Sequence, residues 1–159
     1  MSTLVFHHPI YAEHQTGAGH PERSARIQAV ERALRSPEFQ ALNWRSPPPA
    51  EFDQLTLLHA PAYVEQTLQA IPGDADRLHA LDSDTIVSSG SGEACLRATG
   101  AVCSAIDAIV DGAADNAFAR CGHQDIMRSR RRLWDFACST VLLSAHAMPA
   151  SNMAWNASR

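Results

Sequence analysis

The chain contains no lysine: all thirteen of its basic residues are arginine. Charged residues make up only 19% of 159 and aromatics 6%, while apolar residues reach 45%. That is a globular composition rather than a disordered or fibrous one, and the length suits one domain with a sizeable core. No apolar run approaches the length of a membrane span, so no transmembrane helix is expected. The N-terminal Met1-Ser2-Thr3-Leu4-Val5-Phe6 lacks the basic start and long apolar stretch of a secretory signal. Cys95, Cys103, Cys121 and Cys138 form no Cys-x-x-Cys pair and no dense framework, so free thiols in a reducing cytoplasm are expected. The absence of Gly-x-Ser-x-Gly argues against a serine hydrolase. The stretch 88–92 has glycines but neither P-loop order nor a lysine, which argues against phosphate binding. A net charge of −4 gives no support to a general nucleic-acid surface.

What charge there is falls unevenly. Residues 1–120 hold eight Arg against fifteen Asp and Glu, a net of −7; residues 121–159 hold five Arg against Asp125 and Asp135, a net of +3. The same tail has three of the four Met, two of the three Trp and no Glu.

Thr3-Leu4-Val5-Phe6 is apolar and β-branched and predicts a first strand, ended by His7-His8-Pro9. Two glycines and a proline make residues 15–22 a loop. Pro21 suits a first helical turn, and Ile27, Val30 and Leu34 recur at helical spacing, so a helix runs to near Arg35. Ser46-Pro47-Pro48-Pro49 is an extended segment. Short helices follow around Leu55–Leu58 and over Tyr63–Leu68, and 81–92 reads mostly as loop. Ser91 can cap the next helix, which extends to Val110 and is small and apolar nearly all round. Such a helix packs on several sides. Asn116-Ala117-Phe118-Ala119 starts another strand. Strand, helices, loop, buried helix and strand in that order open a layered α/β domain.

Three segments carry more than secondary structure. They are Thr16-Gly17-Ala18-Gly19-His20-Pro21-Glu22-Arg23-Ser24-Ala25-Arg26-Ile27, then His59-Ala60-Pro61-Ala62-Tyr63-Val64, then Leu81-Asp82-Ser83-Asp84-Thr85 with Ser91-Gly92-Glu93-Ala94. In order and spacing, residues 1–120 resemble the N-terminal part of the histone deacetylase and acetylpolyamine amidohydrolase family. The resemblance implies the N-terminal fragment of an arginase-like three-layer α/β fold with a parallel sheet. It implies hydrolysis of an acetylated lysine or polyamine amide by a zinc-bound water, with a histidine pair handling protons. The zinc ligands and the oxyanion tyrosine belong to the family's later segments. Two substrate-binding positions match here: Asp84, at the pocket rim, and Arg26, lining the channel beneath the metal. By residue type alone Asp84 reads equally as a turn or capping residue, and Arg26 as a solvated surface group.

The family's next landmark is Arg-Pro-Pro-Gly-His-His-Ala, which contains the catalytic histidine pair. The chain instead reads Arg120-Cys121-Gly122-His123-Gln124-Asp125-Ile126-Met127-Arg128. Let residues 121–128 be encoded TGC GGC CAC CAG GAC ATC ATG CGG, after an Arg120 codon ending in G. Reading from that G yields Val-Arg-Pro-Pro-Gly-His-His-Ala. Residues 132–139, completed by the first two bases of Thr140, can be written CGG CTA TGG GAT TTT GCC TGT TCA AC. From its third base this reads Ala-Met-Gly-Phe-Cys-Leu-Phe-Asn, similar to the family's following segment. Each shifted triplet takes two bases from the first two codon positions, which the encoded residue largely fixes. Codon choice alone does not easily produce both motifs, and a frame change near Ala119–Arg120 explains them together with the break in composition.

On this reading 1–120 is the N-terminal part of a deacetylase-like domain, and 121–159 is an off-frame tail, poorly ordered. The chain as written lacks the catalytic histidines and zinc ligands, so no bound zinc and no activity are expected. An open parallel edge and unburied core surface predict marginal stability and self-association. Membrane and nucleic-acid partners are not expected. The alternative is a non-catalytic α/β binding or interaction module with a genuine basic tail. In that tail Cys121, His123, Cys138 and His146 fit no common zinc spacing. Arg128–Arg132 is basic enough to touch phosphate but reads as an accidental cluster, and Val141-Leu142-Leu143 reads as weakly helical. His7-His8 suits a strand end, and His20 shapes its loop rather than binding metal.

Overall fold

A computed structural model describes residues 1–83 and 85–121, and the backbone of 141–144. Strand β1 (Thr3–Phe6) lies between two parallel neighbours, β2 (Leu42–Arg45) and β5 (Asn116–Ala119). A short antiparallel hairpin, β3 (His79–Ala80) and β4 (Ile86–Val87), stands apart, and β6 (Val141–Ser144) pairs antiparallel with β5. The main sheet order is β2-β1-β5-β6. The helices are α1 (Ser24–Leu34), α2 (Phe52–Thr56), α3 (Pro61–Gln69) and α4 (Ser91–Val110). The architecture is the expected incomplete α/β one, with a parallel three-stranded centre.

Helix α4 organises the core. Ala94, Ala98, Ala101, Ala105 and Ala108 form a buried ridge along it, packed with Leu4 and Phe6 of β1, Ala117 and Ala119 of β5, and the fully buried Tyr11. Methyl-sized side chains on both surfaces let the helix settle close to the sheet. Another side of α4 meets the extended segment 47–50. There the Ala50 N–H donates to the Leu96 carbonyl (2.9 Å) and Arg97 Nη1 donates to the Pro47 carbonyl (2.7 Å). A Cβ at Gly100 would lie 2.0 Å from the Pro48 carbonyl oxygen, so only glycine admits this approach. Leu55 and Val64 close a second cluster with Ala50, Leu68 and Leu96. The expectation of a helix packed on several sides is met.

Several local expectations are corrected. Residues 42–45 form β2, which the sequence reading missed: Leu42-Asn43-Trp44-Arg45 alternates half-buried and exposed and offers no long apolar run. Pro21 lies before α1 rather than in it, and the helix begins at Ser24. Ser91 is the first helical residue, with Gly90 as N-cap, so its hydroxyl is free for another task. The stretch around 81–92 contains β4, closed by a turn in which Asp82 accepts the Thr85 N–H (2.8 Å). Val141–Ser144 is strand rather than helix; the rest of 122–159 lies outside the described residues.

Gly100→Ala is expected to destabilise the protein by about 3 kcal/mol, the upper part of the usual overpacking cost. Gly73→Ala, where an added Cβ meets nothing within 4 Å, is expected to shift stability little. Urea unfolding of both variants measures the contrast.

Candidate functional site

In an open parallel sheet, ligands bind beyond the carboxyl ends of the strands, where the chain switches the side to which it adds strands. Here β2 adds on one side of β1 and β5 on the other, so the switch point lies between β1 and β5. The two strands deliver His7 and Arg120 to that point. Both are held by the continuing ladder: the His7 N–H donates to the Arg45 carbonyl and the Arg120 N–H to the Phe6 carbonyl, each at 3.0 Å.

The Arg120 side chain is only 2% exposed. Its Nη1 donates to the Ile27 carbonyl (2.8 Å), and its Nη2 meets Glu31 Oε2 (3.2 Å) and the His7 ring. Arg120 Nε has no hydrogen-bond partner among the described residues. Burial lowers its pKa, and the Glu31 charge opposes that shift. Arg35 donates to Glu31 Oε1 (2.9 Å) and lies over the Trp44 ring at 4.3 Å, a cation–π contact. Burial works against the Glu31 carboxylate, but the hydrogen bond from Arg35 and the charges of Arg120 and Arg35 outweigh it and hold its pKa down.

His7 stands among these groups, edge-on to Trp44 and tilted against Tyr11. Burial, then the neighbouring Arg120 charge, lowers its pKa to about 4, with Glu31 pulling the other way. The ring is therefore neutral near pH 7, and its 3.5 Å approach to Glu31 is not an ion pair there. Only His8 of the pair has the simple strand-end role: its Nδ1 accepts the Ile10 N–H (3.2 Å) and caps the turn Pro9–Ala12.

A second cluster ties loop 13–22 to the start of α4. His14 Nδ1 lies 2.6 Å from Ser91 Oγ, and its Nε2 lies 3.5 Å from Glu22 Oε1. Ser91 Oγ also accepts the Ser88 N–H (2.8 Å), while Ser88 Oγ accepts the Gln15 N–H (2.9 Å) and donates to the Glu13 carbonyl (3.2 Å). Serine, histidine and carboxylate in series resemble a hydrolytic triad. Ser91 is completely buried, however, and no substrate carbonyl can reach it. The cluster is a structural clasp.

The conspicuous sequence segments have local structural reasons. Gly17 turns the loop at a φ of 91°, a conformation L side chains rarely adopt. Thr16 Oγ1 donates to the Glu22 carbonyl, and His20 Nδ1 accepts the Glu22 N–H (3.2 Å), so His20 does shape its loop. In 59–64, Pro61 opens α3 and Val64 is fully buried.

Arg26 is exposed on α1, and Asp84 lies outside the described residues. Glu31, Arg35, Trp44 and Arg120 were missed as site residues. Glu31 and Arg35 carry a four-residue helical spacing that pairs them with each other, but nothing local connects them to Arg120. Among the described residues, no three His, Cys, Asp or Glu side chains form a group that could hold a metal ion. The described crevice does not fit a zinc ion: its histidine abuts one guanidinium and its carboxylate is shared between two. Of the tail's candidate ligands, Cys121 is buried beside the Ala119 carbonyl, while His123, Cys138 and His146 lie outside the described residues.

Residues 20–124 match the sequence model of the histone deacetylase domain. Among 55 solved chains that match is the HDA15 HD domain, with a TM-score of 0.67 and 22% identity. The match covers 75% of this chain and 35% of that one, a likeness of fold. No curated protein matches the chain.

His7 titrates near 4 in the fold and near 6.5 when unfolded, so its contribution is complete above pH 6.5 and is lost as pH falls towards 4. The difference corresponds to about 3 kcal/mol. Urea unfolding at neutral pH and at about pH 5 is expected to show a falling midpoint in the wild type and a flatter profile in His7→Phe.

Proposed function

Because the chain belongs to the histone deacetylase domain family, we propose that it is the N-terminal part of a zinc-dependent amide hydrolase whose reading frame changes near Ala119–Arg120, and that the polypeptide as written is inactive. The observation that carries this reading is where the likeness stops. The family match ends at residue 124, four residues beyond the proposed frame change, although the chain continues to residue 159. The two motifs recovered in the shifted frame and the change of net charge at the same place support it.

The family's substrates are the acetyl amides of lysine or a polyamine. In its chemistry the zinc polarises the carbonyl and lowers the pKa of the attacking water. In this chain Asp84 and Arg26 are the proposed substrate-side residues, Asp84 as an acceptor at the rim and Arg26 as a cationic channel wall. The residues that would hold the metal and move protons fall beyond the frame change. The cytoplasm is the proposed compartment, and no helix among the described residues is long and apolar enough to cross a membrane.

One observation favours the second reading, a non-catalytic α/β interaction module: Val141–Ser144 extends the main sheet as a genuine tail would. Resequencing the gene across codons 115–130 and reading every downstream frame separates the two. A shifted frame that stays open and carries further family motifs supports the truncated hydrolase; one that closes at once supports the module. The same data distinguish a real frame change from an error in the recorded sequence, in which case the cell makes a full-length enzyme. The purified chain is expected to bind no stoichiometric zinc and to leave an acetyl-lysine peptide and an acetylpolyamine intact. Stoichiometric zinc with turnover would overturn the assignment of inactivity.

A further inference from the structure

We propose that the outer edge of β5 is a self-complementary docking edge, held in cis by β6, and that a second copy of this chain takes β6's place through its own β5. The proposal concerns the polypeptide as written, since β6 lies in the tail beyond the proposed frame change.

β5 is paired along both edges. Its inner edge meets β1, and its outer edge meets β6 residue for residue: Asn116 with Ser144, Ala117 with Leu143, Phe118 with Leu142 and Ala119 with Val141. β6 differs from the strands on the other side of β5 in running antiparallel. That polarity is the one two identical strands adopt when they meet edge to edge about a twofold axis, where the same patch serves both copies. The edge therefore already accepts the direction that a second β5 would bring. α4 passes beneath β6 as well as β5, so a strand seated there has a floor.

Exposed edges are normally blunted by charge or proline. Asn116-Ala117-Phe118-Ala119 carries neither. The flanking charges are both engaged elsewhere. The Asp115 carboxylate accepts the Ser2 N–H (2.6 Å) and faces the N-terminal ammonium (3.8 Å). The Arg120 guanidinium is turned to Ile27 and Glu31. With no charge left to guard the edge, β6 is what keeps another strand from it.

The test uses the full chain and the double variant Leu142→Pro/Leu143→Pro. Successive strand residues direct their N–H groups to opposite edges, so one of the two prolines removes a donor facing β5. In the wild type, the amides of 116–119 and the β5-facing amides of 141–144 are expected to be protected together from hydrogen exchange. In the variant, 141–144 lose protection, Thr3–Phe6 and Leu42–Arg45 keep it, and light scattering shows a doubled mass with 116–119 still protected. A variant that keeps the β1–β2 ladder yet stays monomeric overturns the proposal, as does free exchange of 141–144 in the wild type. The single variants L142P and L143P cover the case in which the double variant unfolds. Only the one facing β5 is expected to dimerise, and identical behaviour of the two overturns the proposal.

Discussion

Helix α4 is pressed between two backbones, and most of the remaining structure follows from how closely they approach it. On one side the sheet meets a ridge of alanines; on another the Pro48 carbonyl occupies the space where a side chain at residue 100 would be. Close approach on both sides requires small residues at several helical positions, which is why α4 looks apolar nearly all round yet contains so little bulk. Fixing α4 also fixes the hydroxyl of Ser91 at its first turn, and through His14 and Ser88 the path of loop 13–22. The packing of one helix thus sets the position of a loop more than sixty residues earlier in the chain.

The carboxyl ends of β1 and β5 show a different kind of constraint. Burying the Arg120 guanidinium is expensive unless it is paired, and Glu31, itself supported by Arg35, supplies the countercharge. His7 completes the cluster only as a neutral ring, because a second cation beside Arg120 would be repelled in a desolvated setting. The strand ends that topology marks as the ligand position therefore carry a paired charge cluster, with Arg120 Nε left without a hydrogen-bond partner among the described residues.

Much of the fold was legible in the residues. β1 and β5 announced themselves through apolar, β-branched or small alternating residues, α4 through its small-residue pattern, and the 15–22 loop through Gly17, Gly19 and Pro21. The family likeness was legible in the same segments, and His20 was read correctly as a loop residue. β2 was not legible, since Leu42-Asn43-Trp44-Arg45 is a half-exposed edge strand with little apolar signal. Val141–Ser144 was misread because a short apolar run has no inherent preference between helix and strand until a partner strand is offered. Ser91 was read as a cap because hydroxyls favour helix starts, whereas His14, distant in sequence, engages it.

The sequence by itself determined the locations of the main elements, the small-residue face of α4, the family likeness over the first three quarters of the chain, and the break near residue 120. These are properties of local composition, periodicity and residue order. Tertiary structure alone decided which strand ends meet, which arginine is buried, that His7 is neutral while His8 caps a turn, and that β6 completes the outer edge of β5. Pairing, desolvation and electrostatic compensation depend on residues brought together from as far apart as 7 and 120, and no local stretch of the chain contains both.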